Sequence, residues 1–483
     1  MNVINILIDS LNRHMIGPYG GEVPTPNMDR LAARGVVFDN YFIGSAPCMP
    51  ARRELMSGRK EFFWRGWGPM EPFDSHIADR ARAAGAVSAM VTDHYHYWES
   101  SAHGYFERFD SVSMIRGHEL DMYKTDVVDF VPAWAKNIDK WRPGWGTRYY
   151  KNVKGFESEE DFFAPKTLAE AAGWLDTNHA HDKFFLWVEC FDVHEPFHVP
   201  EPYASMFTDE NPDDFNCWPP YQNGQFGHNE DWWAQASQKD VEFVRSQYKG
   251  KLAMVDAHLG KLLDKLDEYG LWENTMVSLT TDHGHELGEK RRFGKQPPSY
   301  DLSAHIPLVI SAPGIKPGRS GAIATAVDLY PTLLEALGAD SRAPHGRSLM
   351  PILKGETDSH REAAVYGTFG TGATISNLDY TYHTGWDPTA PLFEYSATKH
   401  PSPEATGGLY IPGVDCPVWK MPRGQDENIC SELLFDRRKD PGQDKNILED
   451  SPGAKKMMRE LLCSEMESEG VPKEQYLRLM LPS

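Results

Sequence analysis

VINILID, residues 3–9, is an apolar, β-prone run closed by a carboxylate. A mostly apolar run of this kind suits a strand buried on both faces, as in a parallel sheet. The same form returns as AVSAMVTD (86–93), FFLWVECFD (184–192) and TMVSLTTD (275–282), while VVFDNYF (36–42) and IPLVISAPG (306–314) add two further strands. Helical spacing marks the stretches between them. These are NMDRLAAR (27–34, with Asn27 as a candidate cap), ARRELMSG (ending at Gly58), IADRARAAG (77–85) and TLAEAAGWLDTNH (167–179). A long run over 243–270, read as one helix or a broken pair, and AVDLYPTLLEALG (326–338) complete the set. This alternation predicts an α/β fold with a mostly parallel central sheet sandwiched by helices.

Chemistry in such sheets gathers beyond the carboxyl ends of the strands. Asp9, Asp93, Asp192 and Asp282 each close a strand, so together they point to a shared polar site. The competing reading of each is an ordinary strand-to-turn aspartate that caps the next helix. After about residue 345 the pattern changes to short strands and turns and then a helix over 454–468. The division expected is a catalytic unit, 1–345, and a smaller C-terminal unit, 346–483, with an antiparallel sheet and a helix. Two stretches, 110–165 and 200–240, lack periodicity and are rich in Trp, Tyr, Pro and Asp, with WPPYQ (218–222) and DWWAQ (231–235) prominent. They read as insertions able to shape a substrate pocket, or as aromatic packing and an oligomer contact.

Among 483 residues, 40% hydrophobic and 12% aromatic content can build a large core. The formal charge of −21 argues against nucleic acid and anionic membrane surfaces as partners, since both require basic patches. An anionic substrate would then need local positive charge, most simply from a divalent cation. No apolar run reaches about 18 residues, so no membrane span is expected. The opening MNVINILIDS lacks the build of a secretory signal, which points to the cytoplasm. Six cysteines, at 48, 190, 217, 416, 430 and 463, show no paired spacing, so neither a zinc site nor a disulfide framework is indicated. On its surroundings alone, Cys48 is a thiol beside Arg52 and Arg53, where a lowered pKa could follow.

The segment Cys48-Met49-Pro50-Ala51-Arg52-Arg53-Glu54-Leu55-Met56-Ser57-Gly58-Arg59 resembles the sulfatase signature at every defined position. The resemblance extends through ILIDSLNRHMIGPYG and TPNMDRLAARGVVFDNYF to Asp192-Val193-His194-Glu195-Pro196-Phe197, Asp282-His283-Gly284-His285-Glu286-Leu287-Gly288 and Phe293-Gly294-Lys295. VDLYPTLLEALG, GRSLMPIL and ELLFDRRKDPGQDKN match late landmarks of the same family. The resemblance implies an alkaline-phosphatase-like fold and a cysteine oxidised to formylglycine by a formylglycine-generating enzyme. Its hydrate would attack sulfur from a divalent metal and later collapse to release sulfate. The implied metal ligands are Asp9, the residue-48 diol, Asp282 and His283, with calcium first and manganese next. Arg52 is implied to hold the diol, Lys295 to contact sulfate oxygens, and His194 to protonate the leaving oxygen. His198 and His285 carry no family role and read as bystanders.

Two positions depart from the family pattern. Ser10 stands where many sulfatases have a second aspartate, and His94, in Asp93-His94-Tyr95-His96, stands where many have a lysine that touches sulfate. His94 and His96 alternate near a strand end, so both are candidate substrate contacts. The expected activity is hydrolysis of a small-molecule or carbohydrate sulfate monoester, with phosphonate monoester or phosphodiester hydrolysis by the same nucleophile as the alternative. The C-terminal segment could also embrace a neighbour in a homo-oligomer.

Overall fold

A computed structural model describes residues 1–99, 102–221, 229–424 and 431–482. Cys430 and Gln222, the last residue of WPPYQ, lie outside the described residues. The main sheet has eight strands. From edge to edge they are Gly318–Thr325, Val36–Phe42, Leu308–Ser311, Thr275–Thr280, Asn2–Ile8, Phe184–Cys190, Val87–Thr92 and Ser111–Met114. Leu308–Ser311 runs antiparallel to both neighbours, and every other pairing is parallel.

Strand alternation divides the apolar runs between two cores. From the first strand, Ile4, Ile6 and Ile8 face one core together with Leu168, Leu175, Leu252 and Leu259. Val3 and Leu7 face the other, with Met56, Ile77 and Leu333. Each such side chain, taken fully from water, contributes about 1.5–3 kcal/mol. That two-sided demand explains why these strands read as continuous apolar runs. The helices Phe163–Asn178 and Gln238–Glu268 cover the first face. The second of these is a single helix, opened by a Ser237–Asp240 capping box. Near residue 27 the cap position falls to Thr25, and the Asn27 amide donates to the Asp256 carbonyl (2.9 Å) instead. The edge strands Ser111–Met114 and Gly318–Thr325 have exposed positions and lack an apolar run, which is why neither was legible as a strand.

A second sheet of five strands joins Leu433–Asp436, Tyr380–His383, Ala373–Ser376, Ala364–Thr368 and Ser45–Ala46. It is antiparallel except at its last pairing, where Ser45–Ala46 lies parallel to Ala364–Thr368. The two residues come from the segment just before Cys48. The helix Pro452–Ser468, which a short helix Lys473–Arg478 follows, buries Met458, Leu462 and Met466 against this part of the molecule. Among the described residues no helix is long and apolar enough to cross a membrane. Cys48, Cys190, Cys217, Cys416 and Cys463 are free thiols.

Glu54 ties this arrangement together. Its carboxylate accepts from both the amide and the hydroxyl of Ser45 (2.7 Å each). Burial pushes its pKa up to about 7, against Ser45 and Lys60, which lower it. The folded state therefore holds a proton that the unfolded chain releases near the ordinary Glu pKa, so stability falls as pH rises from about 4.5 to 7. The expected contribution is about 3 kcal/mol across that window. Denaturant midpoints of the wild type and Glu54→Gln at pH 5, 6, 7 and 8 check this. The difference should move in favour of the variant as pH rises, and a pH-independent difference would remove Glu54 as the cause.

Candidate active site

Two loops at the carboxyl ends of central strands meet the N-terminus of the helix Cys48–Ser57. Asp9 follows Asn2–Ile8 directly, and Asp282 and His283 follow Thr275–Thr280. The atoms that Asp9, Cys48, Asp282 and His283 could offer a metal all lie within 4.8 Å of one another, and all four residues are buried. The Cys48 thiol is 3.2 Å from His283 Nε2. The helix N-terminus adds its own partial positive charge where residue 48 stands.

Arg52, one helical turn beyond Cys48, is wholly buried and ion-paired three ways. It reaches Asp9 (2.7 Å), Asp282 (2.6 Å) and Glu189 (2.5 Å), and donates to the Cys48 carbonyl (3.2 Å). Ser10, at φ 59°, donates its hydroxyl to Asp9 (2.8 Å), so that hydroxyl is oriented by the carboxylate beside it. Tyr248 fixes the same turn, donating to the Ser10 carbonyl and accepting from the Asn12 amide (2.8 Å each).

The electrostatics suit a cation. Burial, then the charge of Asp282, raises Asp9 well above the usual carboxylate range. Burial pushes Asp282 the same way, but His283, Arg52 and Lys295 outweigh it and hold Asp282 low. Burial lowers His283 to about 3, which leaves a neutral imidazole with a lone pair to offer. Two carboxylates, a neutral imidazole and the residue-48 side chain form a donor set that can hold a divalent cation. A cation there would reverse the repulsion that raises Asp9. For Cys48 itself, the structure corrects the expectation of a lowered pKa beside two arginines. Burial dominates and raises the thiol well above its ordinary value.

His194 and Lys295 stand at the same site. Lys295 Nζ is 2.5 Å from His194 Nε2, and His194 Nδ1 is 3.0 Å from the Glu195 carbonyl. Burial lowers His194 well below its usual value, while Cys48, Glu195, Asp9 and Asp282 keep Lys295 raised despite burial. The pair is therefore an ammonium donating to a neutral imidazole, with the imidazole proton on Nδ1. His94, Phe191 and His194 stack in a ladder, with ring centroids 4.5 and 4.4 Å apart. His94 is fully buried with neither ring nitrogen hydrogen-bonded, and burial followed by Arg52 keeps it neutral. His96 pairs with Glu99 (2.8 Å) and meets the Trp67 ring edge-on.

The four strand-closing aspartates do not all face one site. Asp93 accepts from the Phe191 amide (2.6 Å), and Asp192 pairs with Lys251 (2.5 Å) and His118 (2.7 Å). These two brace the loop that carries His194. Lys251 also donates to the carbonyls of His194 and Pro196 (2.7 and 2.8 Å). His285 is a bracing residue as well, bonded to Glu195 (3.0 Å), whereas His198 stacks on Trp134 at 4.5 Å. Glu189 and Lys251 escaped the sequence reading, yet both leave a trace there. Glu189 interrupts the apolar run FFLWVECF, and Lys251 falls on the apolar stripe of its helix with Tyr248, Val255 and Leu259.

The architecture, with its charged cluster at the carboxyl ends of the strands, is an α/β fold of the alkaline-phosphatase-like class. The chain belongs to the sulfatase family, whose model matches residues 1–339. It is 27% identical to the multifunctional alkaline phosphatase superfamily protein PehA of Trinickia caryophylli, over 73% of this chain and 77% of that one. It is 25% identical to the choline-sulfatase of Rhizobium meliloti (strain 1021), over 73% and 72%. The phosphonate monoester hydrolase of Agrobacterium radiobacter has the same fold, at a TM-score of 0.68 and 21% identity, over 97% of this chain and 96% of that one.

Lys251→Met leaves Asp192 buried without its ammonium and frees two carbonyls. Removing one partner of a buried pair costs about 3–5 kcal/mol. Urea unfolding should show a loss of that order, and activity should fall further than the lost stability explains because His194 is displaced. A variant within about 1 kcal/mol of the wild type would show that Lys251 does not hold this loop.

Proposed function

We propose that this protein hydrolyses sulfate monoesters with residue 48, converted from cysteine to formylglycine, as its nucleophile. The observation that supports this best is the buried group Asp9, Cys48, Asp282 and His283 within a complete family signature. A thiol raised by burial is a poor nucleophile, and a hydrated aldehyde at the same place would supply hydroxyls instead. When bound by these four residues, a divalent cation, calcium first and manganese second, would ease deprotonation of the residue-48 hydroxyl and offset the ester's charge.

The chain's own residues account for the remaining steps. Arg52 holds Asp9 and Asp282 in place through their carboxylates and ties itself to the backbone of residue 48. As the S–O bond to the alcohol breaks, the Lys295–His194 pair gives the leaving oxygen its proton, with the Lys295 ammonium as the source. His194 takes that proton on Nε2 and gives it to the leaving oxygen from the same nitrogen, while Nδ1–H donates to the Glu195 carbonyl and holds the ring. His94, with free ring nitrogens, contacts the ester oxygens as a neutral donor, and His96 supports that wall. The alternative of phosphonate monoester or phosphodiester hydrolysis is favoured by one feature. A neutral His94 and a hydroxyl at Ser10 replace the fixed charges that many sulfatases carry there, and one relative is itself named multifunctional. A formylglycine-generating enzyme is the partner this reading requires.

Mass analysis of the tryptic peptide 35–52 from the native host should show the aldehyde or its hydrate, and active enzyme holding only unmodified cysteine would sink the mechanism. Among an aryl sulfate, an aryl phosphonate and a phosphate diester, the sulfate should have the highest kcat/KM. Ser10→Asp with His94→Lys should raise its lead at least tenfold, and a lead held by the diester in the wild type would promote the alternative. Chelation should lower Tm, and calcium or manganese at about 100 times Kd should restore about 2.7 kcal/mol. Asp282→Asn should abolish that restoration.

A further inference from the structure

Beyond the Lys295–His194 pair, the wall of the site contains polar groups that are buried and unpaired. Glu119 is 6% exposed, and its Oε2 has no hydrogen-bond partner, lying 3.9 Å from His194 Nδ1. Its backbone is held at φ 47°, in the left-handed region that costs a non-glycine residue of order 1 kcal/mol or more. Glu195 is 1% exposed; one carboxylate oxygen takes His285, and the other, Oε1, has no partner. The charge of Glu119 acts on the Tyr95 hydroxyl, and so does Cys48.

Arg142 faces these carboxylates. It is 1% exposed, and its guanidinium carbon packs against the rings of Trp145, Tyr221 and Trp218 at 4.7, 4.9 and 5.2 Å. One Nη donates to the Pro219 carbonyl (2.9 Å), and Nε has no partner. Among the described residues no carboxylate lies within the 4.0 Å of a salt bridge to it, yet its charge acts on both Glu195 and Glu119. Burial lowers its pKa to about 10, so it remains charged at neutral pH. The Tyr221 ring lies against Arg142 on one side and 5.7 Å from Lys295 Nζ on the other. The unpaired groups thus begin where the leaving oxygen departs.

Buried acceptors and a buried donor left unpaired each cost about 1–3 kcal/mol, more where they are charged. A ligand that removes this cost must serve both kinds of group at once. An ammonium would suit Glu119 and Glu195 but be repelled by Arg142, and a second anion would do the reverse. A plain aryl or alkyl group would satisfy none of them. Hydroxyls, each both donor and acceptor, satisfy all three.

We propose that Glu119, Glu195 and Arg142 form a leaving-group subsite that selects esters of a polyhydroxylated alcohol, of which a sugar is the common form. The proposal rests on the ester-hydrolase reading above and adds to it the class of alcohol released. Substrate hydroxyls donate to the free Glu195 oxygen, pair with the Glu119 carboxyl, which burial and then Glu195 hold well above the usual carboxylate range, and accept from the guanidinium, while the aromatic rings keep water from competing.

The test uses the modified, metal-loaded enzyme and four esters: the sulfate and the methylphosphonate of the primary hydroxyl of glucose, and the same two esters of cyclohexylmethanol. The two alcohols share a primary leaving oxygen and a six-membered ring and differ chiefly in hydroxyls. The glucose esters should be preferred at least tenfold in kcat/KM, and Glu119→Gln and Arg142→Lys should each cut that preference at least fivefold. Preference for cyclohexylmethyl esters, or an equal loss on both alcohols in both variants, overturns the subsite. A lead of methylphosphonate over sulfate with the glucose preference intact overturns the sulfate reading and leaves the subsite standing. Should no ester turn over, calorimetric binding of the same four esters gives the alcohol comparison, and absence of a glucose preference there overturns the proposal equally.

Discussion

One guanidinium organises this molecule. Arg52 projects from the helix that begins at Cys48 into the carboxyl end of the main sheet and meets carboxylates from three adjacent strands or the residues after them: Asp282, Asp9 and Glu189. All four groups are removed from water, so each needs the others. Desolvating a charge costs several kcal/mol, and only close, hydrogen-bonded opposite charges return it. The helix that begins at Cys48 is thereby locked in register with the sheet, and the ligand atoms of the proposed metal site take their positions from the same contacts. The rest of the site depends on this lock. Tyr248 and Thr281 shape the turns that present Asp9 and Asp282, and Lys251 and Asp93 hold the loop that presents His194.

Much of this was legible in the sequence, for a physical reason. A strand buried on both faces must be apolar throughout, so Asn2–Ile8, Phe184–Cys190 and Thr275–Thr280 announce themselves, and so does the sheet they form. The four residues whose ligand atoms converge were identifiable from motif resemblance, with Cys48 and Arg52 one turn apart in a single helix. What escaped depends on contacts between distant segments. Glu189 looks like a flaw in an apolar strand until Arg52 and Tyr97 are seen to meet it. Lys251 looks like a misplaced charge on a helix until Asp192 and two carbonyls surround it. The direction of the Ser10 hydroxyl and the hydrogen bond from Lys295 to His194 are matters of fractions of an ångström, which no residue pattern encodes.

The stretches 110–165 and 200–240 were opaque because their described residues are held by aromatic and cationic packing without a period. Arg142 lies against Trp218 and Tyr221 from the second stretch as well as Trp145 from its own. Short helices, Ala133–Asp139 and Trp145–Val153, form inside the first. Such segments vary the wall of a site while leaving the charge cluster beneath it alone. On the proposed reading, the sheet ends would hold the chemistry and the insertions would shape the choice of alcohol.

The two residues Ser45–Ala46 give this chain an order in time. They belong to the second sheet, pairing with Ala364–Thr368, while the helix two residues later belongs to the main one, and Cys48 at its start is only 2% exposed. Once a strand more than 300 residues downstream has closed over that segment, nothing the size of a protein can reach the thiol. Any enzyme that alters residue 48 therefore has a deadline, set by synthesis and docking of the C-terminal strands. A chain that folds first would keep an intact scaffold with a thiol sealed at its centre, stable but fixed in that chemical state until it unfolds.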